Sequence, residues 1–305
     1  MSFRKRVSLR DEMKGIVEEP LLQIVPKRFD YIGNVAVISI PPELSAYKEA
    51  IASKLFSMRG NTRAVLNKVS KLEGEHRVAD FELLLGETTE TIHRENGYIY
   101  KLDVKKVFFN PRLYSERRRI ASKITSGEHI IIPFAGVGPF VLPAAGKGAK
   151  VYAIEINPDA CACLRENIRI NRLEGQIAVI QDDFEKVSHM FNSTKAGEVP
   201  ANKAFSDLPV YLSLEENENE SFQFPENGFD RAIVPTPYGM DHFLGEISKL
   251  VRKGGYIHFY TFKAESQIPE LIKDYEKMGL GVELYRRAGS VAPGISRWVF
   301  DLIKK

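Results

Sequence analysis

The sequence predicts an α/β protein in which a doubly wound, mostly parallel sheet follows a smaller α+β domain. Three observations lead there. From Asn110 onward, short apolar strand patterns alternate with helical ones, as in a sheet covered by helices on both faces. Before that point, strands and a hairpin gather around one helical pattern. The length of 305 residues, 44% of them apolar, suffices for two separate cores. The boundary is placed between residues 1–108 and 109–305.

In the first domain, residues 34–40 (NVAVISI) read as a strand and 42–58 as a helix. Residues 63–69 form a further strand pattern. Residues 88–94 and 98–104 flank Glu95-Asn96-Gly97, and an Asn-Gly pair supplies the positive φ angles of a tight hairpin turn. In the second domain a helix over 110–124 precedes an apolar strand at 129–132. Strands at 151–156, 177–180, 231–234 and 256–262 then interleave with helices at 160–171, 240–251 and 265–278. Strand patterns at 282–285 and 297–302, joined by Gly- and Pro-containing sequence, predict an antiparallel edge. Residues 190–228 are polar and rich in Glu and Asn. They read as an acidic insertion, a surface excursion or a partly disordered segment.

The net charge of +3 conceals an uneven distribution. Residues 190–230 hold eight acidic and two basic side chains, a net of −6, so the rest of the chain carries +9. That remainder permits a polyanionic partner without requiring one. No apolar run reaches the ~18 residues needed to span a bilayer, and the basic first ten residues lack the apolar stretch of a secretory signal. Cys161 and Cys163 are two apart in a helical pattern and face different directions, so no disulfide is expected. The six histidines show no metal-ligand spacing. A reducing, cytoplasmic setting, no membrane, no metal and a monomeric chain are the expectations.

The segment IIIPFAGVGPF (130–140) is a strand, a glycine turn and a helix start. Gly136 and Gly138 would let the backbone approach a ligand, and Pro139 suits a first helical position. The dinucleotide fingerprint G-x-G-x-x-G fails, because Val141 stands at the third glycine. Taken alone, this could be an ordinary strand-to-helix turn. The next strand ends at Glu155, 17 residues after Gly138, where an acid can accept hydrogen bonds from both ribose hydroxyls. The third strand ends at Asp182 and Asp183, which could receive an adenine amino group or serve as turn or cap residues. Acids at successive strand ends favour a nucleoside at the carboxyl edge. With no phosphate-binding loop, S-adenosylmethionine fits better than NAD or ATP. After the fourth strand, Pro235-Thr236-Pro237-Tyr238 form a stiff loop at the same edge, either catalytic or simply a rigid turn.

The helix NPRLYSERRRIASKI (110–124) breaks its own pattern. At ~100° per residue, Leu113, Ile120 and Ile124 share a stripe, Arg117 falls inside it, and Glu116 lies on its margin. Charged groups on a buried stripe are costly unless they are paired or face a polar cleft. Arg118 and Arg119 are expected to point outward, where they and Lys101, Lys105 and Lys106 could meet phosphate.

Several motifs recur here in one order: Gly74-Glu75-His76-Arg77, IHRENGY (92–98), NPRLYSER (110–117), FAGVGPF (134–140), AIEINP (153–158) and NIRINRL (167–173). Together they resemble the tRNA (guanine-37-N1)-methyltransferases of archaeal and eukaryotic type, over about residues 1–189 and 229–305. Enzymes of the same superfamily build wybutosine by moving the aminocarboxypropyl group of the same cofactor. The resemblance implies a Rossmann-like class I methyltransferase domain, S-adenosylmethionine as cofactor and the anticodon loop of tRNA as partner. It places the arginine that contacts guanine O6 on Arg77, the catalytic glutamate on Glu116 and a cofactor-contacting arginine on Arg117. It places cofactor contacts on Phe134, on the ribose-binding Glu155 and on the adenine-side Asp182; Gly136, Gly138 and Asp183 join them from the reading of the glycine turn and strand ends, and Pro235 from its place in the loop at the same edge. The catalytic-loop proline falls on Pro237.

The implied chemistry is coherent. Guanine N1 carries a proton that a general base must remove, and a cation near O6 would stabilise the charge that develops there. Apolar neighbours that partly desolvate Glu116 would suit that role. Three departures stand out. The family loop usually begins with asparagine, whereas Pro235 stands here and has neither that side chain nor a backbone donor. Many archaeal members carry an additional N-terminal domain, while this chain begins near the start of the second, so weaker or delegated checking of whole-tRNA shape is expected. The acidic stretch 190–228 is additional, and it is expected to face away from RNA.

Overall fold

The computed structural model describes residues 8–70, 79–195, 210–212 and 224–305. The chain divides into two compact units, one of Met1–Arg94 with Lys101–Pro111, the other of Glu95–Tyr100 with Arg112–Lys305.

In the first unit α1 (Leu9–Glu12) and α2 (Glu19–Leu22) are single turns. Strands β1 (Asp30–Ile32), β2 (Val35–Ile38), β3 (Ala64–Lys68) and β4 (Phe81–Gly86) form one sheet in that order. The β2–β3 pair is parallel and the outer pairs are antiparallel. The crossover between β2 and β3 is a 3-10 segment, Pro42–Tyr47, followed by α3 (Lys48–Met58). Ile51, Ala52 and Leu55 of α3 pack with Leu9, Met13, Leu22, Ile38 and Val65 in this unit's core. Strands β5 (Glu90–Glu95) and β6 (Tyr98–Asp103) make a separate two-stranded hairpin. Asn96 and Gly97 at its tip have φ of 51° and 88°, as their sequence predicts. Strands β1 and β4 were not expected. The first has three residues, and the second is half-buried or exposed along its whole length, so neither writes a period-two pattern.

The second unit is built on eight strands: β7 (His129–Pro133), β8 (Lys150–Ile154), β9 (Ile177–Ile180), β10 (Val210–Leu212), β11 (Phe229–Val234), β12 (Val251–Lys263), β13 (Leu280–Ala292) and β14 (Ile295–Lys304). Their order is β10-β9-β8-β7-β11-β12-β14-β13. Strands β9, β8, β7, β11 and β12 run parallel. β10 joins β9 antiparallel, and β14 lies antiparallel between β12 and β13, so the expected doubly wound sheet has its antiparallel edge. The helices are α4 (Tyr114–Ala121), α5 (Val141–Ala145), α6 (Pro158–Ile170), α7 (Phe184–Lys195), α8 (Leu244–Leu250) and α9 (Ile268–Lys277). The strands on both sides of β7 are near-continuously apolar, as burial on two faces requires.

The polar excursion begins later than the expected residue 190. Helix α7 continues to Lys195, because Phe191 is fully buried against Phe224 and Phe229, and 210–212 return as an edge strand. Residues 196–209 and 213–223 of the acidic stretch lie outside the described residues, and so does their orientation relative to RNA.

Candidate functional site

The strand order reverses between β7 and β11, and the crevice outside the carboxyl ends of strands at such a point is where open α/β sheets bind ligands. The glycine turn after β7 and the proline loop after β11 both stand there. Phe134 leaves β7 with φ +56°, rare for a side chain of that size, and its ring meets Phe184 at 5.8 Å and Phe243 at 5.7 Å. Gly138 has φ +93°, and a Cβ at this position would lie 2.5 Å from Leu164 Cδ1, so glycine here allows α6 to close on the turn.

Glu155 follows β8 and faces this turn. Its carboxylate accepts from Gly136 N at 2.7 Å and from Asn157 N at 2.9 Å, which fixes its orientation at the edge. Asn157 in turn caps α6 through its side chain. After β9, Asp182 pairs with Lys186 at 2.6 Å. Asp183 is exposed and caps α7, accepting from Glu185 N at 2.7 Å, so its structural task is plain. In the proline loop Thr236 is buried, while Pro235 and Pro237 are half-buried and Tyr238 stands 59% exposed. Thr236 N donates to Val234 O at 2.8 Å, closing a tight turn directly after β11. The sequence-predicted residues Gly136, Gly138 and Glu155 are thus brought together at the carboxyl edge.

Helix α4 carries the second group. Glu116 and Arg117 are 3% and 2% exposed, as the periodicity required of Arg117. Arg117 donates through Nε and Nη2 to the two oxygens of Glu95, both at 2.5 Å, a bidentate pair within the second unit. Glu116 does not sit among apolar groups as expected. Arg119 Nε reaches its Oε2 at 3.1 Å, the Tyr260 hydroxyl donates to Oε2 at 3.3 Å, and Arg286 Nη2 lies 2.7 Å from Oε1. Burial and the nearby Glu116 carboxylate push the Tyr260 hydroxyl far above its ordinary pKa, so it acts only as a neutral donor. The Tyr260 ring lies 5.5 Å from Phe140 at the glycine turn, which links Glu116 to the cofactor edge through one aromatic layer.

Arg119 also departs from expectation. Only Arg118 points outward, over the Tyr114 ring, while Arg119 turns in to Asp301 at 2.6 Å. Asp301 lies on β14, 182 residues along the chain, and is 1% exposed. Lys123 reaches the same carboxylate at 2.7 Å, as does His258 Nδ1 at 2.6 Å. Burial alone would raise the Asp301 pKa, but hydrogen bonds from His258, Arg119 and Lys123 outweigh it and hold the carboxyl well below the usual range. Burial lowers the pKa of His258, and its partners fix its tautomer: Arg231 can only donate to Nε2, so Nδ1 carries the proton toward Asp301. Arg231 completes the chain by a two-point contact with Glu128 at 2.7 and 2.8 Å.

Sequence reasoning missed Asp301, His258, Tyr260 and Arg286. The first two did carry a signal, a lone acid in WVFDLI and a lone histidine in YIHFY, each interrupting an apolar strand. Arg77 lies outside the described residues. Lys101, Lys105 and Lys106 are exposed. Neither Cys161 nor Cys163 forms a disulfide, and burial raises the Cys161 thiol pKa to about 12, which fits a filler rather than a nucleophile. Among the described residues, no cluster could hold a metal ion and no helix is long and apolar enough to cross a membrane.

Two family models match in sequence order: the TYW2 N-terminal domain over residues 9–89 and the TRM5/TYW2 methyltransferase domain over 91–199. A tRNA(Phe) (4-demethylwyosine(37)-C(7)) aminocarboxypropyltransferase from Pyrococcus horikoshii is 39% identical, over 96% of this chain and 95% of its own length. The chain belongs to the TRM5/TYW2 family. Within that family it is also 36% identical to the tRNA (guanine(37)-N(1))-methyltransferase Trm5b of Pyrococcus abyssi, over 82% of this chain. It spans 64% of that relative's length, just under two thirds. Solved TRM5/TYW2 structures agree in fold. A complex of aTrm5 with tRNALeu gives a TM-score of 0.76 at 26% identity, covering all of this chain and 80% of the other. TYW2 of P. horikoshii in complex with MeSAdo gives 0.68 at 29%, covering 97% of each.

Proposed function

We propose that this chain methylates N1 of guanosine 37 in the anticodon loop of tRNA, with S-adenosylmethionine as methyl donor. The observation that carries this reading is Glu116: a buried carboxylate at the start of α4, one aromatic layer from the glycine turn, in the position of the family's catalytic glutamate. Glu116 takes the N1 proton as the new N–C bond forms, and Arg119 and Arg286 hold its two oxygens in register. Arg77, assigned by motif, stabilises the charge on O6. Gly136, Gly138 and Glu155 seat the nucleoside of the donor, Phe134 packs beside it, and Asp182 and Asp183 lie toward its adenine end. Arg117, locked by Glu95, serves by orienting α4 and its neighbour Glu116. Pro235 and Pro237 stiffen the loop that faces the target base, which must be presented unstacked. S-adenosylmethionine would supply the electrophilic methyl.

A specific observation favours a second reading, aminocarboxypropyl transfer to a tricyclic base at the same position. Residues 9–89 match the TYW2 N-terminal domain, and the aminocarboxypropyltransferase named above agrees over 95% of its own length. Pro235 in place of the family asparagine keeps the same reading open. Nucleoside mass analysis separates the two. An unmodified transcript incubated with the donor should gain one methyl on guanosine 37, and a transcript with adenosine at that position none. Gain of the aminocarboxypropyl mass, on tRNA carrying 4-demethylwyosine and not on the plain transcript, would replace the first reading by the second.

A further inference from the structure

Three in-register pairs of β12 and β14 carry charged groups at both ends of a short row. His258 pairs in register with Asp301, Tyr260 with Val299, and Phe262 with Arg297, moving toward the carboxyl end of β12. Helix α4 covers the first two rows through Arg119 and Glu116. The third row is different. Arg297 is half-buried, with its guanidinium 5.0 Å from the centroid of the Phe262 ring. Its other in-register neighbour is Gly289 on β13, and the space where a Cβ would project from Gly289 is open. One flank of Arg297 is therefore an aromatic wall, and its in-register neighbour on the other side carries no side chain.

Arg117, Arg119 and Arg231, the other buried or half-buried arginines around this face, each meet a carboxylate within 2.7 Å. Arg297 meets none among the described residues, and its only partner there is the ring. Burial lowers its pKa; the neighbouring Tyr260 opposes that, and the positive charge of Arg117 adds to it. A desolvated cation without a counter-charge is costly, and an anion ligand relieves the cost. The Phe262 ring also lies 5.4 Å from Tyr238, the exposed aromatic of the proline loop. The row thus opens onto the carboxyl edge where the reaction is proposed to occur.

The geometry points to Arg297 as a binding residue for a backbone phosphate of the RNA substrate, held flat on Phe262 beside the target nucleotide. This rests on the tRNA reading above. The alternative source of an anion is the carboxylate of the donor. Strand spacing argues against it: Arg297 is three strands from β7, on the order of 14 Å, whereas the nucleoside-side residues follow β7 and β8 in the opposite direction. A guanidinium presents a planar fork to phosphate, and a ring behind it reduces the freedom lost on binding.

The test uses the full-length chain and its Arg297→Gln and Arg297→Lys variants. An unmodified tRNA transcript is titrated over a range of salt, and S-adenosylmethionine is titrated separately by calorimetry. Arg297→Gln should weaken tRNA binding about three- to tenfold and reduce the log–log salt slope by about 0.7, the contribution of one single-strand phosphate contact. Arg297→Lys should restore the slope and much of the affinity. Donor affinity should be unchanged in both, which also shows that the site is folded. Loss of donor affinity with intact tRNA binding would overturn the assignment and give Arg297 to the donor carboxylate. Unchanged tRNA binding and slope in Arg297→Gln would overturn it outright. If the wild-type chain itself shows no salt-dependent tRNA binding, the tRNA reading fails, and this assignment fails with it.

Discussion

At the scale of single residues, the strongest expectation concerns Glu116. A general base contributes about 10²–10⁴ in rate, so Glu116→Gln should slow single-turnover transfer by that order while leaving donor affinity within twofold. Full transfer by this variant would remove Glu116 from the mechanism. Gly138 makes a structural counterpart. At φ +93°, and with Leu164 Cδ1 2.5 Å from any Cβ, Gly138→Ala should destabilise the fold by about 1–3 kcal/mol, readable in urea unfolding, and should weaken donor binding with it. Both residues were legible in the sequence, for different reasons. Gly138 sits in a recognisable strand–turn–helix, and Arg117, next to Glu116, broke a clean helical stripe. Arg119 was misread because helical periodicity describes only the helix itself. The acid that draws Arg119 inward is Asp301, at the far end of the chain, and nothing local announces it.

At the scale of elements, α4 is fastened to the sheet by a chain of charges rather than by apolar contact alone. It runs from Glu116 and Arg119 through Asp301 and His258 to Arg231 and Glu128. This makes the attachment sensitive to pH, and the sign follows from the depressed pKa values of His258 and Asp301. Below about pH 6.5 an unfolded histidine takes up a proton, whereas His258 in the fold does not. Its stabilisation is therefore complete above that pH and is lost as pH falls toward the folded-state value, at up to ~1.4 kcal/mol per pH unit. Asp301 adds a second loss at lower pH, below the ordinary carboxylate value of 3.8. Gln can donate toward Asp301 and accept from Arg231 without titrating. His258→Gln should thus flatten the decline in urea-unfolding free energy between pH 7.5 and 5.5, and an unchanged slope would show that His258 takes up its proton in the fold as readily as in the unfolded chain. The parallel direction of β7, β8, β9, β11 and β12 could be read from alternation, but their order in the sheet could not, because alternation fixes no strand neighbours. β10 could not, since three residues inside an acidic stretch carry no periodicity.

At the scale of the whole molecule, the uneven charge becomes a statement about binding. Excluding residues 190–230 the chain carries +9, and that segment subtracts six. A segment that touches no phosphate releases no counterions, so it leaves the salt slope of tRNA affinity alone while its field still opposes approach of the polyanion. Replacing Glu215, Glu216, Glu218 and Glu220 by glutamine should raise the association rate at low salt by a few-fold. That advantage should vanish above about 0.3 M salt, where the Debye length falls to roughly 6 Å or less. The log–log slope of the equilibrium constant should stay as in the wild type. Stopped-flow association and equilibrium titration on one transcript give both quantities. A steeper slope in the substituted chain would mean that these glutamates had been masking phosphate contacts, and the acidic stretch would then belong to the RNA-facing side. The contrast with Arg297→Gln is diagnostic. Loss of one half-buried cation should lower the slope at every salt concentration, whereas removal of four acidic charges should change the rate and leave the slope as it was.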